Sequence, residues 1–190
     1  MSFRLFGVRH VERGRLLAFE RRYYHEPGHE TMVRETVRHP GSVAVIPAVD
    51  ADVVLLRQPR TPIGRHLLEI PAGLRDHADE DPAETARREC EEETGYRPES
   101  LTLLHSFYNS PGFCDEFSWL YLGEDLAEVG TRPQGAEERT SEVVRMSWQD
   151  AWRAARQGDI EDAKTLLGLY ALGVRRGWVG EDRSQGRGRR

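Results

Sequence analysis

Residues 87–96 read Arg-Arg-Glu-Cys-Glu-Glu-Glu-Thr-Gly-Tyr, RRECEEETGY. Glu89, Glu91, Glu92 and Glu93 fall within five positions. Upstream, after the loop RDHADED, Pro82 sits where a first-turn helix proline belongs. Downstream, Gly95 is a natural helix stop. The stretch therefore predicts a helix from Pro82 to about Thr94. Like charges three and four apart destabilise such a helix. On a wheel of about 100° per residue, with Glu89 at zero, Glu93 falls near +40° and Glu92 near -60°. Ala83, Ala86 and Cys90 form an apolar stripe beside them, and Glu84 and Glu91 point roughly opposite, toward solvent. Three glutamates on one arc repel unless a cation neutralises them. Hard divalent cations take oxygen ligands, and Mg²⁺ commonly binds a few carboxylates plus substrate phosphates. The alternative is a solvated acidic face.

Apolar runs surround this helix. SVAVIPAV (42–49) and ADVVLLRQ (51–58) are β-rich and meet at Asp50-Ala51-Asp52, a hairpin. HLLEIPAGL (66–74) is a short strand ending in a tight turn at Gly73. LTLLHSFY (101–108), FSWLYLGEDL (117–126) and EVVRMSW (142–148) are further strands, with NSPGFCDE as a loop between the first two. Residues 130–142 form a polar loop, GTRPQGAEERTSE; loops of that length in compact domains are often functional. WQDAWRAARQGD and EDAKTLLGLYALGVRR read as helices separated at Gly158. Residues 1–40 carry Phe3, Leu5, Val8, Leu16, Leu17 and Phe19, a turn at Pro27-Gly28 and the alternating TMVRETV, an antiparallel meander too small to hold a core alone. The strands are not regularly interleaved with helices, so the fold class is α+β with a mixed-sheet sandwich and not a doubly wound fold. The boundaries expected are 1–40 for the N-terminal β element, 41–176 for the main domain and 177–190 for a basic, disordered tail.

Composition excludes several classes. The chain has 190 residues, 38% hydrophobic and 31% charged, with a net charge of -5, which gives no general drive toward nucleic acid or anionic membranes. No apolar run is long enough to span a bilayer. The N-terminus lacks a signal-peptide pattern, so a cytoplasmic location is the default expectation. Cys90 and Cys114 are too few for a disulfide framework, and the seven histidines show no zinc spacing with them. Lys164 is the only lysine.

Gly73, Glu80 and RRECEEETGY together resemble the Nudix hydrolase signature. Arg88, Glu89, Cys90, Glu92, Glu93, Gly95 and Tyr96 match its second half. Residues 74–79 separate Gly73 from Glu80, one residue more than the pattern has, which reads as a loop insertion that leaves the helix register intact. The resemblance implies a Nudix-type α/β/α sandwich and hydrolysis of a nucleoside diphosphate linked to another group. It places the divalent cation, Mg²⁺ with Mn²⁺ as the alternative, on Glu89, Glu92, Glu93 and the backbone carbonyl of Ala72.

Over about residues 31–172 the chain is most similar to the ADP-ribose pyrophosphatase branch. LLEIPAGL, HPGSVAVIP, the GDIEDAKTLLGL helix and Pro111, fifteen residues after Gly95, carry that likeness. It implies that Arg60 contacts the nucleotide and Leu74 lines the site. Ser110, Pro111, Gly112 and Glu116 match a loop that holds the terminal ribose and phosphates. Arg34 and Glu35 match a pair that reaches the site of a second subunit, so a homodimer joined through residues 1–40 is expected. The catalytic base of this branch commonly lies on the acidic loop before the last strand, which offers Glu137 and Glu138, with Glu142 as the alternate. The implied reaction is ADP-ribose to AMP and ribose 5-phosphate. Another nucleoside diphosphate sugar as substrate, and a non-catalytic nucleotide-binding domain, are the competing readings.

Overall fold

The structure, a computed structural model, describes residues 3–75, 79–132 and 138–179. Among the described residues there are two sheets. The first contains β1 (Arg4–Arg13), β2 (Ala18–His25) and β3 (Met32–Arg38) as an antiparallel meander in the order β1-β2-β3. The second is built on β4 (Ser42–Val49) and β5 (Asp52–Arg60), a hairpin whose turn holds Asp50 at φ 55°. β6 (Arg65–Glu69) pairs with β5, and β7 (Ala72–Leu74) pairs with β4. β8 (Tyr96–Tyr108), β9 (Phe117–Glu128) and β10 (Glu142–Ser147) complete the order β10-β5-β4-β9-β8. Only β4 and β9 run parallel; the other pairs are antiparallel, so the sheet is mixed.

The helices cover both faces of this sheet. α1 (Pro82–Thr94) lies on one, and α2 (Trp148–Gln157) and α3 (Ala163–Arg175) lie on the other. Strand β4 explains why. Its side chains alternate between faces: Val43 and Val45 pack with Ala86 and Cys90 of α1, whereas Ala44, Ile46 and Ala48 pack with Ala151, Leu169 and Leu172. A strand covered on both faces needs a nearly unbroken apolar run, which SVAVIPAV supplies. The sandwich is the α/β/α arrangement expected.

Local chemistry sets the helix ends. Asp81 caps α1 by accepting from the Ala83 N–H at 2.8 Å, and Gly95 at φ 75° closes it with an N–H to the Glu91 carbonyl at 2.9 Å. Because Gly95 turns the chain directly into β8, that strand begins at Tyr96, five residues before the apolar run that announced it. Gly73 is the other correction. It is not in a tight turn but inside β7, opposite Val43.

The small sheet is tied to the main domain at its C-terminal end. The Val37 N–H donates to the Phe113 carbonyl at 2.7 Å, the Asp115 N–H donates to the Val37 carbonyl at 3.2 Å, and Arg38 pairs with Asp115. Its apolar residues stay exposed: Leu5, Phe6, Val8, Val11, Leu16, Leu17 and Val33 are all more than two-fifths accessible.

Candidate active site

The backbone of β7 is the floor of the site. It pairs with β4, and two carboxylates of α1 converge on it. The Ala72 N–H donates to Glu93 Oε2 at 3.0 Å. Glu89 lies against Gly73 so closely that a Cβ there would sit 2.1 Å from its carboxyl carbon. Glycine at position 73 thus leaves room for the Glu89 carboxylate where it stands and serves no unusual φ. Arg88 stands beside this pair, donating to Glu89 Oε1 at 2.6 Å, to Glu92 Oε2 at 3.4 Å and to Glu80 Oε2 at 3.4 Å. Glu92 thereby faces the arginine side of the helix and lines an outer groove with Arg87, Glu91, Arg97 and Arg132. Glu91, expected in solvent, is only 14% exposed at its side chain, because Arg97 donates to it at 2.8 Å and Arg132 stands 3.7 Å away.

A cleft of about 460 Å³ opens over β7. Its wall includes Arg60, Leu74, Ala72 and Glu116, four of the residues singled out in the sequence, together with Ser42, Glu69, Asp162 and Lys164. Glu116 accepts from the Ser42 hydroxyl at 2.9 Å. Arg60 Nε and Nη2 donate to the two oxygens of Glu69 at 2.8 and 2.6 Å. Those hydrogen bonds to Glu69 hold the Arg60 guanidinium above its ordinary pKa, and the charges of Glu69, Glu93 and Asp162 act in the same direction. Glu69 is 1% exposed. A buried carboxylate is tolerated only when paired and hydrogen-bonded, and the bidentate arginine meets that condition.

The other sequence candidates lie elsewhere. Ser110, Pro111 and Gly112 form a turn in which the Ser110 carbonyl accepts from Phe113 at 3.1 Å and Cys114 at 2.9 Å, next to Glu116 but outside the cleft wall. Arg34 and Glu35 lie on exposed β3; Glu35 pairs with Arg21 at 3.1 Å, and Arg34 donates to the Val33 carbonyl at 3.0 Å. Glu142 starts β10 with its side chain 71% exposed and 3.8 Å from Arg57. Glu137 and the side chain of Glu138 lie outside the described residues. Glu69, Asp162 and Lys164 are not among the site candidates that the sequence offers. The signal for Glu69 was present as a single carboxylate inside the apolar run HLLEI, a position that demands a cationic partner.

Among the described residues no three carboxylate, imidazole or thiol side chains already gather at ligating distance. The donor set nonetheless suits a hard cation. Two carboxylates meet at the Ala72–Gly73 backbone, whose Ala72 carbonyl would add a neutral oxygen, and Glu92 is next to Glu93 and three residues from Glu89. Oxygen-only ligation by carboxylates and a carbonyl is what a divalent hard metal takes.

A mixed sheet with α1 on one face, two helices on the other and paired glutamates over a glycine-bearing strand defines a class of protein. The chain belongs to the Nudix family: the NUDIX domain matches residues 38–168. Nudix hydrolases use divalent metal ions, in keeping with the carboxylates of α1. The chain is 37% identical over 147 residues to the ADP-ribose pyrophosphatase of Bacillus subtilis, covering 77% of this chain and 79% of that one. It is 34% identical over 175 residues to the ADP-ribose pyrophosphatase of Mycobacterium tuberculosis, covering 90% of this chain and 83% of the relative. In fold it resembles the crystal structure of an ADP compounds hydrolase, with a TM-score of 0.78, 23% identity and coverage of 99% of this chain and 98% of that one. Among the described residues no helix is long and apolar enough to cross a membrane.

Proposed function

We infer that this protein hydrolyses the pyrophosphate bond of ADP-ribose, producing AMP and ribose 5-phosphate. The observation that carries the reading is the cleft itself. Arg60 and Glu116 stand on its walls, and its floor is the β7 backbone where Glu89 and Glu93 converge. The relatives named ADP-ribose pyrophosphatase align over most of the chain, which supports the choice of substrate.

In the reaction, a water oxygen bonds to one phosphorus and the bridging P–O bond breaks, the leaving phosphate oxygen keeping the electron pair. Mg²⁺, with Mn²⁺ as a substitute, is the proposed cation on Glu89, Glu92, Glu93 and the Ala72 carbonyl, where it would neutralise phosphate charge and acidify bound water. Arg60 orients the nucleotide side, held in place by Glu69. Glu116, fixed by Ser42, offers acceptor oxygens for sugar hydroxyls, with Ser110, Pro111 and Gly112 bracing its loop. Glu137 or Glu138, with Glu142 as alternate, takes the proton from water. A base must come within hydrogen-bond reach of that water.

The test is kcat/KM for ADP-ribose, ADP-glucose, NADH and ATP at saturating Mg²⁺. ADP-ribose is expected to lead, because a site that hydrogen-bonds substrate hydroxyls discriminates strongly. A preference for ADP-glucose by about tenfold overturns the assignment. For the base, Glu137→Gln or Glu138→Gln should lower kcat and kcat/KM together while substrate affinity holds. If both turn over normally, Glu142 is the residue to replace next.

The exposed apolar face of the β1–β3 sheet supports a homodimer, with Arg34 and Glu35 reaching toward the partner's cleft. A chain starting at Gly41 is expected to lose dimerisation in light scattering and to lose activity. A truncated chain that stays folded, active and unchanged in subunit number refutes this.

A further inference from the structure

Lys164 is the only lysine among 27 basic residues, and it stands in the cleft wall. Its side chain is 20% exposed, unusual for a residue type that generally lies in solvent. It occupies the second position of α3, where the helix dipole disfavours a cation. Helix stability therefore does not account for it.

The lysine is also held in place. Its Nζ donates to Asp162 Oδ1 at 2.6 Å. The other Asp162 oxygen accepts from the Thr165 N–H at 2.8 Å and the Thr165 hydroxyl at 2.7 Å. Thr165 is fully buried, and its hydroxyl in turn accepts from the Ile70 N–H at 2.8 Å, two residues before Ala72. A short hydrogen-bond chain thus ties the anchor of Lys164 to the segment that leads into the floor of the cleft.

Charge in the cleft points the same way. Arg60 spends two donors on Glu69, so much of its charge is already compensated. An ammonium has three donors, and one goes to Asp162. Glu69, the partner of Arg60, directly precedes Ile70, whose N–H is bonded to Thr165 beside Asp162, so Lys164 stands at the Arg60 end of the cleft. Glu116 is tied to Ser42.

We propose that Lys164 is a substrate contact for the nucleotide-side phosphate, with Asp162 as the residue that positions it. This rests on the cleft being the nucleotide-sugar site. The variants are Lys164→Gln, Lys164→Met, which keeps the aliphatic stem, and Lys164→Arg. Calorimetric titration with AMP and with adenosine is compared across them, and thermal melting checks the fold. Lys164→Gln and Lys164→Met are expected to weaken AMP about tenfold, the size of one lost charge-assisted hydrogen bond, and to leave adenosine unchanged. Lys164→Arg should recover most of the AMP affinity. Unchanged AMP binding in any folded neutral variant, equal losses for AMP and adenosine, or no AMP binding by the unaltered protein overturns the proposal. Hydrolysis of ADP-ribose by the unaltered protein is assayed separately. Its failure, with the AMP result intact, refutes the substrate assignment and leaves the phosphate contact standing.

Discussion

The two sides of α1 carry carboxylates for different ends. On the outer side Glu91 meets Arg97 and Arg132, and Glu84 lies 3.7 Å from Arg87. Those charges are compensated by side chains of the fold itself. On the cleft side Glu93 accepts a neutral backbone amide from Ala72, and Glu89 is pressed against Gly73. Arg88 stands at the seam between the sides and touches Glu80, Glu89 and Glu92. One helix therefore tolerates a dense row of like charges because arginines stabilise one side and the other is shaped around oxygen donors. Acidity alone does not mark a site; what the carboxylates face does.

The widest gap between the two sides should appear in activity. Glu93→Gln keeps size and removes charge from the cleft side, and kcat/KM should fall by about two orders of magnitude or more. Glu91→Gln on the outer side should leave kcat/KM nearly unchanged. Equal losses at both positions would erase the distinction.

Gly73→Ala sharpens it from the strand. The new Cβ meets the far end of the flexible Glu89 side chain, at 2.1–2.5 Å, so the carboxylate moves and the backbone need not. The melting temperature should hold while kcat/KM drops about 10- to 100-fold, the cost of misplacing a reacting group. A variant that melts early would show that β7 depends on Gly73 for folding instead.

The outer side should register in stability. Glu91→Gln weakens its pairing with Arg97, a partly exposed contact of about 1 kcal/mol or less. A fall of about 2–4 °C in Tm is the upper bound for a chain of this size. A larger fall would mean that Glu91 organises the outer groove as a network.

The smallest effect lies on the third side of the helix. Burial pushes the Cys90 thiol up to about 12 from an ordinary 9.0. Below pH 9 the thiol is protonated in folded and unfolded chains alike. Between 9 and 12 the unfolded chain releases a proton that the folded chain keeps, so stability falls as pH rises through that window. Iodoacetamide at neutral pH should modify partly exposed Cys114 and spare Cys90, read by mass spectrometry of the native protein. Rapid modification of Cys90 would mean that α1 opens locally.

Much of this was legible along the chain because its causes are local. Pro82 and Gly95 bound α1, the helical period gathers Ala86 and Cys90 on one apolar stripe, and the apolar run SVAVIPAV reads as a strand. The placing of Glu89 and Glu93 on one side of the helix also follows the family pattern visible in RRECEEETGY. What the sequence could not determine are meetings between distant segments. Glu69 is bonded to Arg60 only because β6 folds back on β5, bringing together residues nine apart. Glu91 leaves solvent because β8 returns Arg97 beneath it. Lys164 enters the cleft because α3 packs across Ile46 and Ile70, and its first turn takes the Ile70 N–H next to Glu69. Helical and strand periods depend on neighbours a few residues away, whereas the charge compensation of a site depends on which backbones the closed core brings within hydrogen-bond reach.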